Sequence, residues 1–237
     1  MTSYEPCYMC NKRAVTREHV PPRGFSPEGY RKDLITVPSC LEHNNEKSGD
    51  DEYLRLVFSS LISGNELARD HVWPKILRSI QRKPEKSFLF RNIRPGQIAG
   101  INTGVFDADI NRFFRIMERI DRGLYFHIFR QYWFEDIKVF PPATAFYKLN
   151  DPTDNAARRI LEQGFENQFG LLPKLGNNPE VFYFQFYGDH SSLLMKNVFF
   201  GGIITLSAFN IQGLRELPTR ISPPKADKSS EGVLLET

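Results

Sequence analysis

At 237 residues the chain is long enough to bury a full core, as one large domain or two small ones. Its 41% hydrophobic and 25% charged content is ordinary for a globular protein, with Phe unusually frequent at 20. The net charge of +3 decides little, but its distribution is uneven. Residues 1–53 hold seven Lys/Arg against nine Asp/Glu, residues 54–133 fourteen against seven, and residues 134–237 ten against twelve. The middle third is therefore the part suited to a polyanion. No run of eighteen apolar residues argues for a membrane span, and the start Met1-Thr2-Ser3-Tyr4-Glu5 lacks the basic and apolar stretches of a secretory signal. A cytoplasmic protein is the expectation.

In chain order, residues 1–13 read as a knuckle loop around Cys7 and Cys10. Ala14 to Val20 reads as a short extended stretch ending at Pro21-Pro22, and Gly24 to Asp33 as a loop. Leu34 to Val37 is a second strand. Ser39 with Glu42 three residues on forms a capping-box pattern for a brief helix, interrupted at Lys47-Ser48-Gly49-Asp50. A new helix is predicted from Asp50 or Asp51, with Leu54, Val57, Phe58, Leu61 and Ile62 at helical spacing, stopping at Gly64. Residues 66–82 read as helical and residues 87–106 as irregular or weakly β. From Asp107, the positions Ile110, Phe113, Phe114, Met117, Ile120 and Leu124 follow the 3.6 period of a long amphipathic helix reaching Phe129. Ala156 to Phe169 is a further helix. Val181 to Tyr187 and Val198 to Leu206 are rich in β-favouring residues, which predicts a hairpin or small sheet. The alternate Phe residues of the first stretch suit core packing, although they and Trp73 or Trp133 can also stack bases. The segment from Pro218 onward reads as a mobile tail.

The chemistry concentrates at the start. All three cysteines of the chain fall in two knuckles, Cys7-x-x-Cys10 and Cys40-x-x-His43, separated by residues 11–39. An odd cysteine count with a C-x-x-C start argues against a disulfide framework. Zinc takes four tetrahedral N/S ligands, so the two knuckles predict one structural zinc site. His71, His127 and His190 show no ligand spacing and receive no role.

Between the knuckles lies Glu18-His19-Val20-Pro21, and after the second comes Asn44-Asn45-Glu46-Lys47-Ser48. With the strand, strand, helix order, this set resembles the HNH endonuclease family over roughly residues 5–55. The periodicities read as an α+β chain, with a mostly helical, unrecognised region over 65–217 carrying a small C-terminal hairpin or sheet before the tail 218–237, while the resemblance implies a zinc-stapled ββα-metal module over residues 1–64. It implies a metal-dependent endonuclease cutting phosphodiester bonds, most simply in double-stranded DNA. His19 would be the general base, since a neutral imidazole can take the proton of an attacking water. Glu18 and the Asn44 carbonyl would hold a catalytic Mg²⁺ or Mn²⁺, which favours hard oxygen ligands. Asp33 would orient His19, and Lys47 would touch a phosphate. Three positions depart from the family pattern: Glu18 for the commoner Asp, Asp33 for Asn, and His43 for the fourth zinc cysteine. A non-catalytic zinc module that binds nucleic acid or a protein partner is the competing expectation. On the long helix, Arg112, Arg115, Arg119 and Arg122 are spaced 3, 4 and 3 along one face, which suits either a phosphate-tracking stripe or a solvated face partly neutralised by Asp109, Glu118 and Asp121.

Overall fold

The computed structural model describes residues 4–10, 12–45, 48–59, 64–68, 93–98, 101–106, 108–142 and 169–210, with single positions at 70, 74 and 78. Among these the chain is α+β. Strand β1 (Thr16–His19) pairs antiparallel with β2 (Thr36–Ser39), with Glu18 opposite Val37 and His19 opposite Thr36. The connection carries two single 3-10 turns, Arg23–Phe25 and Glu28–Tyr30. Helix α1 (Leu41–Asn45) and helix α2 (Ser48–Ser59) follow. A second hairpin is formed by β3 (Ile93–Ile98) and β4 (Ile101–Phe106), where only weak β character was expected.

Helix α3 (Ile110–Phe129) is the long amphipathic helix of the sequence pattern. Asp109 caps it, accepting a hydrogen bond from the Arg112 amide at 3.0 Å. It ends at Arg130, which takes the left-handed conformation (φ 56) that usually falls to glycine. Strands β5 (Ile137–Phe140), β6 (Leu175–Asn178), β7 (Phe182–Gly188), β8 (Leu193–Phe199) and β9 (Ile203–Phe209) form an antiparallel sheet in the order β5-β9-β8-β7-β6. This is larger than the hairpin or small sheet expected. The Val198 to Leu206 stretch is the end of β8, a turn at Phe200-Gly201-Gly202 and the start of β9. Strand β7 therefore pairs with β8 rather than β9, because the glycines break the apolar run.

The capping box does not form. Ser39 is the last residue of β2 and its hydroxyl donates to the Cys40 carbonyl, while Glu42 turns outward to an ion pair with Lys12. Helix α2 also begins earlier than expected, with Ser48, Gly49 and Asp50 in its first turn. The second strand lies two residues later than its apolar run suggested. The predicted helices over 66–82 and 156–169, and the tail, fall mostly outside the described residues.

One apolar core joins the hairpin, α2, α3 and the large sheet across the expected boundary at residue 64. Phe25, from the loop after β1, packs on Phe58 of α2 and on Phe199 and Phe200 at the end of β8, with ring centroids 5.7–6.3 Å apart. Helix α3 approaches the hairpin at Gly123, where an added Cβ would lie 2.7 Å from Val20 Cγ2. The side chain next to His19 is thereby wedged against the helix. The Phe182 and Phe184 rings are buried, as their alternation predicted, and Trp133 packs on Tyr125 and Phe209. No helix among the described residues is long and apolar enough to cross a membrane.

Candidate metal centre and the His19 strand

The first knuckle is a tight loop. The Cys7 amide donates to the Lys12 carbonyl, the Cys10 amide to the Cys7 carbonyl, and the Met9 amide points to Cys7 Sγ at 3.5 Å. The Tyr8 amide donates to the Pro38 carbonyl at 2.8 Å, which fastens the loop to β2. The second knuckle straddles the start of α1: Cys40 precedes the helix, and His43 comes three residues later on the same side. The two knuckles converge. His43 Nδ1 lies 3.5, 3.6 and 3.3 Å from the sulfurs of Cys7, Cys10 and Cys40, and the Cys10 and Cys40 sulfurs are 4.0 Å apart.

A tetrahedral zinc with its usual bond lengths requires edges of about 3.8 Å between sulfurs and about 3.6 Å between sulfur and nitrogen. The observed edges match, so the four residues fit zinc. Cys7 and Cys40 are buried and Cys10 and His43 half-buried, which shields the site without closing it off. Among the described residues no other group of three or more His, Cys, Asp or Glu side chains is gathered in this way.

His19 ends β1 at the far end of the hairpin from Thr16 and Ser39. Burial of the imidazole, and then the Arg23 guanidinium nearby, pull its proton affinity below the ordinary histidine value. The ring is thus neutral at neutral pH. The Val20 amide donates to the Ile35 carbonyl at 3.0 Å and fixes the backbone just after it. Strand alternation puts Glu18 on the opposite face from His19. Glu18 is 5% exposed and accepts a 2.7 Å hydrogen bond from the Tyr8 hydroxyl. Burial pushes the Tyr8 phenol far up, so that hydroxyl remains a donor.

Asn44, on α1, reaches the Thr16 hydroxyl at 3.4 Å. Thr16 shares the inner face with Glu18 but lies three strand steps, about 10 Å, from His19. Glu18 and Asn44 are therefore on one side of β1 and His19 on the other. Asp33 is an exposed turn residue with φ 52, and its backbone carbonyl accepts from the Asn177 amide at 2.8 Å. No hydrogen bond joins it to His19 among the described residues. Lys47 lies outside them.

The arginine stripe is largely engaged within the protein. Arg112 and Arg119 lie 2.8 and 3.8 Å from the Asp50 carboxylate. Arg122 donates to the Trp133 and Glu135 carbonyls. These three side chains are 29, 18 and 14% exposed, and only Arg115 of the four is an exposed residue. The stripe ties α3 to α2 and to the segment after it.

Sequence reasoning missed Tyr8, which sits between the zinc cysteines and holds Glu18, and Arg23, which charges the surroundings of His19. Neither has a motif of its own; only the folded hairpin brings them there. The chain matches no protein family, no curated protein and no solved structure.

Proposed function

We propose that the chain is an HNH-type, metal-dependent endonuclease that hydrolyses phosphodiester bonds, with duplex DNA as its substrate and His19 as the general base. The observation that carries this reading is the placement of His19. It stands at the end of a strand whose other end is fixed by a Cys₃His cluster, and its surroundings favour the neutral imidazole. Only that form can accept a proton from the attacking water, and a base acting this way contributes about 10²–10⁴-fold in rate. Arg23 adds a cation where a phosphate would approach.

The resemblance gives Glu18 and Asn44 as ligands of a Mg²⁺ or Mn²⁺ ion that would neutralise charge at the phosphate, but both lie across β1 from His19, so the reading rests on His19 and not on that pair. Cys7, Cys10, Cys40 and His43 hold zinc and pin the hairpin.

His19→Ala tests this directly. Supercoiled plasmid is incubated with the zinc-loaded protein and Mg²⁺, Mn²⁺ or chelator, and nicking is followed on a gel. The variant is expected to keep its zinc and fold while losing nicking at least a hundredfold. Undiminished cleavage would overturn the assignment. The burial of Glu18 beneath Tyr8 favours one rival, a non-catalytic nucleic-acid-binding module. That rival predicts salt-sensitive binding and no nicking by the unmutated protein under any divalent ion.

A further inference from the structure

A cleft of about 560 Å³ lies between the β1–β2 hairpin, the C-terminal end of α3 and strand β6. Its origin is local. Strand β6 bulges between Leu175 and Asn178, with Gly176 at φ +124, a conformation that L side chains rarely adopt. The bulge turns the Asn177 and Asn178 amides onto the carbonyls of Asp33 and Lys32, which holds β6 against the hairpin loop. Helix α3 stops at Arg130, and its left-handed backbone sends the chain away. The space left behind is lined by the polar side chains of Arg17, His127 and Arg130 and the apolar ones of Leu34, Ile128 and Leu175.

We propose that this cleft is a subsite for a nucleotide, with its phosphate held by Arg17 and Arg130 and His127 beside them. Planar guanidinium groups match phosphate oxygens bidentately, and two of them lining one cleft from two elements favour a phosphate over a single carboxylate. The volume falls within the range of small-ligand sites and exceeds what a bare phosphate fills. The apolar side chains suit the flat body of a base or the sugar.

Position gives the site its meaning. Arg17 and His19 are two residues apart on the same face of β1, about 7 Å along the strand. A phosphate at Arg17 would therefore neighbour one at His19. The choice of a nucleotide over another phosphate ester rests on the nuclease reading, but binding does not require catalysis.

Arg17 is partly engaged, donating to Thr36 Oγ1 at 3.0 Å and to the Thr36 carbonyl at 3.2 Å. Those bonds fix its orientation and use only part of its five donors. Its other contact, Glu5 at 3.5 Å, is an exposed ion pair of the kind worth little and easily exchanged. Asp33 contributes one negative charge to the lining, leaving the cleft net positive. Burial and the Arg130 charge hold His127 below its ordinary proton affinity, so without ligand it is a neutral donor or acceptor.

The test uses the full zinc-loaded chain carrying His19→Ala, without added divalent ion, so that binding is read apart from cleavage. Anisotropy is measured with a short labelled DNA duplex; thymidine monophosphate, inorganic phosphate and a dicarboxylate serve as competitors. Arg17→Gln and Arg130→Gln are each expected to weaken duplex binding about tenfold and lower the salt slope by about one. Lys138→Gln, on β5 at the opposite edge of the large sheet, should leave binding within about twofold of the parent, since it removes one remote charge.

Competition by the mononucleotide, together with weakened duplex binding by the Arg17 and Arg130 variants, would support the subsite; duplex loss with no competition by the mononucleotide would overturn it in favour of a bare backbone-phosphate contact. Equal binding by the Arg17, Arg130 and Lys138 variants would overturn it, as would competition by phosphate or the dicarboxylate as strong as by the nucleotide. A readout without substitution at the cleft is the His127 imidazole resonance, which should titrate at higher pH once a phosphate sits beside it. An unmoved titration at saturating ligand also overturns the proposal. Intact binding alongside absent nicking by the unmutated chain would remove the nuclease reading alone.

Discussion

The β1–β2 hairpin and the five-stranded sheet use the same antiparallel pairing but are held in different ways. The hairpin strands pair over four residues each, and side chains from the flanking loops converge at one end on a Cys₃His cluster. The sheet has central strands of seven residues, buried along most of their length against α3 and the aromatic cluster. A short hairpin cannot bury enough apolar surface to be stable alone. Zinc held by that cluster would add to the burial the hairpin gains from the common core, while Arg17 and His19 stay partly open on the outer face. The proposed site thus lies on the short hairpin, and the sheet supplies the frame.

The largest expected effect breaks that contrast at the metal. Cys40→Ala, or zinc removal by chelator, should unfold the hairpin and knuckles, since structural zinc contributes on the order of 10 kcal/mol to small domains. Hydrogen exchange should show protection lost in residues 16–19 and 36–39 and retained in β7–β9. Elemental analysis should find about one zinc per chain. A metal-free protein with its hairpin amides still protected would contradict the staple.

The next effect belongs to the sheet. Asp121, on α3, is fully buried and accepts from Asn197 Nδ2 at 2.7 Å and Ser207 Oγ at 2.6 Å. Burial pushes its carboxyl up to about 7, against the hydrogen bonds, which act to lower it. The folded carboxyl thus keeps its proton to near neutral pH, while the unfolded one releases it near pH 4. Stability from this group is full below pH 4 and is lost as pH rises towards 7, by up to about 1.4 kcal/mol per pH unit. Asp121→Asn should remove that slope in denaturant titrations run from pH 4 to 7. A slope unchanged by the substitution would mean that another group carries it.

The smallest effect sharpens the link between the two regions. At Gly123, overpacking against Val20 costs about 1–3 kcal/mol, and gaining a better helix former returns at most about 1. Gly123→Ala should therefore destabilise by about 1 kcal/mol net of those terms. It should also move the His19 imidazole resonance, because Val20 follows His19. A stabilised variant with an unshifted His19 would show that the helix and hairpin are less tightly wedged.

The metal site was legible in the sequence because ligand spacing is a local property: two residues between ligands define each knuckle wherever the chain places it. Helix α3 was legible to within three residues because its apolar period is long and uninterrupted. The extent of the sheet was not, since β8 and the edge strands β5 and β6 reveal themselves only through pairing across the chain. The surroundings of His19 were half legible. Adjacency in sequence suggested that Glu18 and His19 act side by side, yet strand alternation turns them to opposite faces. The arginine stripe was read correctly as a row on one face of a helix. What the row meets, Asp50 and the carbonyls of Trp133 and Glu135, is a tertiary fact.

The asparagine clasp on β6 has a consequence for self-association. Among the described residues β6 is an edge strand of the sheet, the position from which strand addition by another molecule proceeds. Its bulge interrupts the flat edge, and Asn177 and Asn178 fasten the strand beneath the 32–33 turn. The β5 edge carries the exposed charge of Lys138. Both rims of the sheet are thereby blunted against the edge-to-edge stacking that begins fibril growth.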